Sequence, residues 1–166
     1  MMPVRSPHLV AFAESEVFAR LFREGMGLVE EAAAYLDGPG RDDAKRLQPD
    51  AALVYATQSM KLTTRLMQVA SWLLTQKGLR EGDLSEREAA EAKYRLRDEA
   101  PVSGGLSFAD IARHAQHLPA TLLDLLARSD ALYKRAARLD RSLYAGARGG
   151  EDAAAQLSRL RAAFAG

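Results

Sequence analysis

Residues Tyr55 to Leu74 read YATQSMKLTTRLMQVASWLL, and this stretch decides the fold. On a helical wheel its apolar and small side chains cover about half the circumference. A surface helix has a narrower apolar side, so we expect a central helix that touches two neighbours. It is predicted to begin at Pro49 and Asp50, which suit a first helical turn and the positive end of the helix dipole, and to run to about Lys77.

Two further segments carry a helical pattern. In the first, from Ala13 to Leu36, apolar residues recur every three or four positions; Ser15 suits its start, and Gly38 and Pro39 end it. In the second, apolar residues recur in the same way from Leu118 to Leu143. With abundant Ala and no strand-like alternation, the sequence predicts an all-α, antiparallel three-helix bundle with a short peripheral helix and a C-terminal tail.

The connecting segments carry helix-start and helix-stop signals. A capping-box pattern at Ser85–Glu88 predicts a solvated peripheral helix from Glu86 to Arg97, and Ser107–Asp110 predicts a short helix ending near His117. Glycines at 146, 149 and 150 predict a break after Tyr144. We therefore expect a bundle domain at 1–145 and a flexible or partly helical tail at 146–166. The apolar residues of that tail are Leu157, Leu160 and Phe164.

Composition narrows the possible functions. The chain has 166 residues, no cysteine and a formal net charge of +1. Without cysteine there is no disulfide, thiolate zinc site or cysteine nucleophile. The near-neutral charge disfavours general nucleic-acid binding. The longest apolar run, Leu66 to Leu74, is well short of the roughly 20 residues that cross a bilayer, and the first residues show no export pattern, so we expect a cytoplasmic protein without a membrane partner.

The sequence predicts no catalytic residue, metal site or cofactor. The Gly38-Pro39-Gly40 turn lies between helices and lacks the strand and spacing of a phosphate-binding loop. Asp110, His114 and His117 share a helical face and could hold a metal ion, but surface histidines are the favoured interpretation. The expected function is therefore non-enzymatic.

Trp72 is the candidate binding residue. On the wheel it lies on the polar side of the central helix beside Lys61, Arg65 and Gln68, and exposed tryptophans are enriched at interfaces. The alternative is that the peripheral segment or the chain start covers it, with Arg65 stacked on the ring. The predicted partner-binding residues are the following: Trp72, Arg65, Lys61, Gln68, Leu157, Leu160 and Phe164.

The third helix has a basic outer side. It carries Arg128, Lys134, Arg135, Arg138 and Arg141, diluted by Asp124, Asp130 and Asp140. A solvated face is the ordinary interpretation of such a pattern, and a docking surface for an acidic partner is the alternative.

Three stretches resemble the RcdA family, the regulators of CtrA degradation in alphaproteobacteria. They are YLDGPGR at Tyr35–Arg41, the Tyr55–Leu74 stretch quoted above, and LPATLLDLLARS at Leu118–Ser129. The resemblance spans roughly Phe12 to Tyr144 and implies a three-helix bundle that acts as a protease adaptor.

That resemblance also implies partners. They are the ClpXP protease, a CpdR-like receiver-domain adaptor, a PopA-like cyclic-di-GMP effector, CtrA and other cargo, and a second copy in a homodimer, with recruitment to a cell pole. Family members can use a flexible tail in this work, whereas residues 146–166 are short here. A structural or DNA-associated helical protein is the alternative function.

Overall fold

The structure is a computed structural model, and it describes residues 11–12, 15–99 and 104–164, with side chains as far as residue 145. The helices are α1 (Glu16–Asp37), α2 (Pro39–Lys45), α3 (Pro49–Glu81), α4 (Glu86–Ala89), α5 (Phe108–Ala115) and α6 (Ala120–Phe164), with a 3-10 turn at Ala92–Tyr94. The prediction of an all-helical bundle is confirmed, because every regular element of the described residues is a helix.

Several helix boundaries follow the predicted signals. The Ser15 side chain accepts a hydrogen bond from the Phe18 amide at 3.2 Å, and Ser85 and Ser107 form capping boxes with Glu88 and Asp110. The central helix, α3, is longer than expected and ends at Glu81, where it is capped by Gly82 with a left-handed φ of 83°. A further helix that the sequence pattern did not predict, α2, begins at Pro39 immediately after the predicted stop.

The core lies where α1, α3 and α6 meet. Aliphatic side chains from all three helices fill it, including Leu21, Leu28, Leu62, Leu66, Leu73, Leu122, Leu125 and Leu132. The aromatic hydroxyls of Tyr35 and Tyr55 hold α2 against this core, because they donate to the Asp43 carboxylate at 2.9 Å and to the Gly40 carbonyl at 3.0 Å.

The three long helices do not all alternate in direction. Glu31 pairs with Arg128 and Glu24 with Arg135, so α1 is antiparallel to α6. In contrast, Arg65 contacts Ser129 and Gln76 contacts Tyr144, so residue numbers rise together and α3 is parallel to α6. Helix α1 is therefore antiparallel to both α3 and α6. The long crossover after α3 carries the chain back along the bundle, so that α6 begins at the same end as α3.

The peripheral helix predicted from Glu86 to Arg97 is much shorter in the structure. Helix α4 starts where expected but ends at Ala89, and residues 95–99, here called the strap, are not helical. The strap runs along α3 and α6, because Arg95 bonds to Asp140 and Glu99 bonds to Arg65. The segment expected to be solvated therefore covers part of the bundle.

Helix α6 extends beyond the predicted bundle domain. Its backbone is helical from Ala120 to Phe164, so the break predicted at residues 146–150 is wrong for the backbone. The division into a bundle domain and a tail stays a prediction. Across the described residues, none of the helices combines the length and hydropathy that spanning a membrane requires.

Candidate protein-binding surfaces

Trp72 is buried, with 1% of its surface exposed. Its indole Nε1–H donates to Oδ1 of Asp140 at 2.9 Å, and its ring lies 6.2 Å from that of Phe12. Arg95 of the strap bonds to the same carboxylate at 2.8 Å. Of the two interpretations of Trp72, the covered one matches the structure: Phe12 of the chain start lies beside the ring, and Arg95 of the strap binds the carboxylate that the indole also binds.

Arg65 is also buried, with 4% of its surface exposed, and it does not stack on Trp72. Its Nε–H donates to Glu99 of the strap at 2.5 Å, and its Nη1 donates to the Ser129 hydroxyl at 2.9 Å and the Leu126 carbonyl at 3.1 Å. A buried guanidinium needs this many partners, because an unpaired charge is costly in a low-dielectric interior. Arg65 therefore joins three elements instead of facing solvent.

The polar side of α3 is thus an internal seam. Gln76 donates to the Tyr144 hydroxyl at 3.0 Å, and Arg95 lies over the Tyr144 ring at 4.4 Å. Burial raises the pKa of Tyr144, which keeps its hydroxyl neutral. The wheel could not reveal this seam because the partners lie in α6 and in the strap, far along the chain.

The structure describes the other predicted binding residues in less detail. Lys61 and Gln68 are half-buried at the edge of the seam. Leu157, Leu160 and Phe164 lie on the helical backbone of α6, but their side chains are outside the described set. Like that of Trp72 and Arg65, the partner-binding role of these five residues stays a prediction.

An exposed apolar stripe on α3 was missed. Leu53, Met60, Met67 and Leu74 are each separated by seven residues and are between 50% and 68% exposed. Two helical turns take about seven residues, so the four side chains lie in one line about 32 Å long. Exposed Ala56, Thr63 and Ser71 lie between them, so the stripe is uncharged. The signal was present in the sequence, but the broad apolar side of α3 concealed which part faces inward.

A crevice opens beside this α3 stripe. It has a volume of about 740 Å³ and lies between α3, α2 and the end of α1. Met60 belongs both to the stripe and to the crevice wall, and Ser59 presents a buried hydroxyl that has no hydrogen-bond partner among the described residues. Its lining residues are Leu36, Arg41, Ala44, Lys45, Tyr55, Ser59, Met60, Thr63 and Thr64. Such a crevice can take an apolar side chain of a bound partner.

The Asp110 side chain caps the start of α5. The Asp110 carboxylate accepts from the Ser107 hydroxyl at 2.6 Å and from its amide at 3.2 Å, which lowers the pKa of Asp110. The rings of His114 and His117 are 6.4 Å apart. Asp110 thus has the role of a helix cap.

Comparison with known proteins agrees with this architecture. Residues 10–164 match the family described as Protein of unknown function (DUF1465). No match was found among curated proteins. The crystal structure of RcdA from Caulobacter crescentus CB15 is similar, with 49% sequence identity and a TM-score of 0.65, over 82% of this chain and 98% of that one. The resemblance seen in the sequence is confirmed, and the chain belongs to the RcdA family.

Proposed function

We propose that this protein is a non-enzymatic adaptor that binds cell-cycle regulators such as the response regulator CtrA and promotes their delivery to the ClpXP protease. The observation that carries the proposal is the exposed α3 stripe. Apolar side chains in one line form the kind of surface that a partner protein covers. Membership of the RcdA family supports the choice of cargo and protease.

Adaptor work requires binding at two places and no chemistry. Holding a cargo near a protease raises its effective concentration, so capture no longer depends on a free encounter. In this proposal the α3 stripe and its crevice hold the cargo, since Met60 and Met67 can adjust to different partners. The terminal part of α6, with Leu157, Leu160 and Phe164, supplies a separate contact.

The further partners are also proposals. They are a CpdR-like receiver-domain adaptor, a PopA-like cyclic-di-GMP effector and a second copy of this chain, with recruitment of the complex to a cell pole. Lys61 and Gln68 flank the seam and keep part of their surface accessible to such partners. Co-purification of ClpX with the tagged protein from its native cytoplasm tests the assignment to this protease.

The test of the cargo surface is degradation of CtrA by reconstituted ClpXP with its accessory factors. Met60→Glu combined with Met67→Glu places two charges on the stripe and should slow adaptor-dependent degradation at least about tenfold. A matched control is Ala127→Glu with Ala131→Glu, at exposed positions of α6. Light scattering is measured in parallel. If the stripe variant becomes monomeric but still supports degradation, the stripe is a self-association surface and the cargo assignment is wrong.

The tail contact is tested separately. A chain that ends at Gly146 keeps the described core and should lose delivery of the cargo in the same assay. Undiminished degradation with the shortened chain would contradict a role for the tail.

A further inference from the structure

The groove between α1 and α6 contains a repeated set of ion pairs. Both guanidinium nitrogens of Arg128 bond to Glu31, at 2.7 and 2.8 Å, and Arg135 pairs with Glu24. The two pairs are seven residues apart on both helices: Glu31 opposes Arg128, and Glu24 opposes Arg135. Seven residues are close to two helical turns, so the pairs occupy equivalent positions.

The next equivalent position has no ion pair. It falls at Val17 on α1 and Ser142 on α6, where a groove of about 560 Å³ opens. Val17 is 58% exposed although it is apolar, and Leu21 and Leu139 complete the apolar part of the lining. The surface therefore changes here from paired charges to an apolar floor, in which Val17 is exposed, Leu139 is half-buried and Leu21 is buried.

The rim of this groove has excess positive charge. Arg20, Arg135 and Arg138 line it, against the single carboxylate of Glu24. Arg135 is neutralised by Glu24, and Arg20 has an exposed partner, Glu16, at 3.4 Å. Arg138 has no ion pair or hydrogen bond with any residue of the described part of the chain. An apolar floor beside an unpaired arginine is complementary to a segment that has both apolar and acidic side chains.

We propose that this groove binds an acidic amphipathic helix of a partner protein. Apolar side chains of that helix pack on Val17 and Leu139, and a carboxylate on its flank pairs with Arg138. The groove shares no residue with the α3 stripe, so this proposal does not depend on the cargo surface.

The probe is a fluorescein-labelled synthetic helix of about four turns, with leucines on one face and glutamates on both flanks. Fluorescence anisotropy measures its binding to the full chain, beside a matched peptide that has lysine in place of every glutamate. The acidic probe should bind saturably and more tightly than the basic one, and its affinity should fall as salt is added. Arg138→Glu and, separately, Val17→Asp should each weaken it about tenfold or more.

Arg46→Glu is the matched control. Arg46 is exposed and lies just after α2, at the other end of α1. Its substitution by glutamate changes the net charge by the same amount as Arg138→Glu. It should leave binding of the acidic probe within about twofold of the unaltered protein. Circular dichroism checks that each variant is folded, and the exposure of Val17 and Arg138 makes this the expected result.

Three outcomes would overturn the proposal. The first is no saturable binding of the acidic probe at protein concentrations up to about 1 mM. The second is an equal loss with Arg46→Glu, which would reflect only the net charge. The third is that Arg138→Glu alters self-association and leaves probe binding unchanged, since a second copy would then be the occupant.

Discussion

The indole Nε1–H of Trp72 and the Asp140 carboxylate form a buried hydrogen bond of 2.9 Å across 68 residues of sequence. The same carboxylate accepts two hydrogen bonds of 2.8 Å from Arg95. One acidic side chain therefore joins α3, α6 and the strap. Removal of that side chain leaves a buried cation and a buried indole donor without their acceptor.

Asp140→Ala should lower the free energy of unfolding by about 3 to 5 kcal/mol, because the Arg95 guanidinium remains largely buried without a counter-charge. Trp72→Phe keeps an aromatic ring and should cost less, about 1 to 3 kcal/mol. Urea denaturation measures both. The control is Asp124→Ala, since Asp124 forms an exposed ion pair with Arg128 and its loss should cost under about 1 kcal/mol. Equal stability of the Asp140 and Asp124 variants would contradict the role given to Asp140.

Glu99→Ala should release the strap while the three long helices stay packed. Arg65 keeps its bonds to Ser129 and Leu126, so the cost to the bundle is smaller than that of removing Arg65 itself. Hydrogen exchange should become faster in residues 95–99 and little changed in α1. Asp98→Ala, at an exposed strap position, is the control. Unchanged exchange in the Glu99 variant would show that other contacts fasten the strap.

Gly25 and Gly27 should respond in opposite ways to alanine. A Cβ on buried Gly25 would lie 2.5 Å from Leu73 Cδ1 in the core, so Gly25→Ala should destabilise the protein by about 1 to 3 kcal/mol. A Cβ on exposed Gly27 meets nothing within 4 Å, and Gly27→Ala should stabilise α1 by about 0.5 to 1 kcal/mol. Thermal unfolding of the two variants gives the comparison. Two shifts of the same sign would contradict the close packing of α1 on α3.

Stability should fall below about pH 4 because of carboxylates that are paired in the folded state. The hydrogen bond from Arg128 lowers the pKa of Glu31, and that from Lys134 lowers the pKa of Asp130, with Arg65 adding to the effect. The unfolded chain then binds more protons than the folded one in acid. The contribution is complete above the ordinary carboxyl pKa of about 4 and is lost as pH falls below it.

Melting temperatures measured between neutral pH and pH 3 test this dependence. Glu31→Gln should flatten the slope modestly, since both partners of that pair are about half exposed. Glu30→Gln is the control, because Glu30 is an exposed neighbour whose charge is not held by Arg128. A slope unchanged by Glu31→Gln would mean that other carboxylates carry the acid sensitivity.

Local sequence signals predicted where most of the helices begin. Ser15, Ser85 and Ser107 cap helices as expected, since a cap depends on residues within one turn. The same local reasoning missed α2. Pro39 is equally compatible with the end of one helix and with the first turn of another. The hydrogen bonds that hold α2 in place come from Tyr35 and Tyr55, which lie in other helices.

The sequence by itself determined that the chain is helical, where most helices begin and which family it belongs to. Each of these depends on contiguous residues. Only the tertiary structure decided which side of α3 is internal. On the wheel Trp72 and Arg65 lie on the polar side of α3, and Met60 and Met67 lie on its broad apolar side, whereas packing buries the first pair and exposes the second. The physical reason is that the buried polar residues of α3 are stabilised by Asp140 and Ser129 of α6 and by Glu99 of the strap. These partners come close to α3 only when the crossover has brought α6 alongside it.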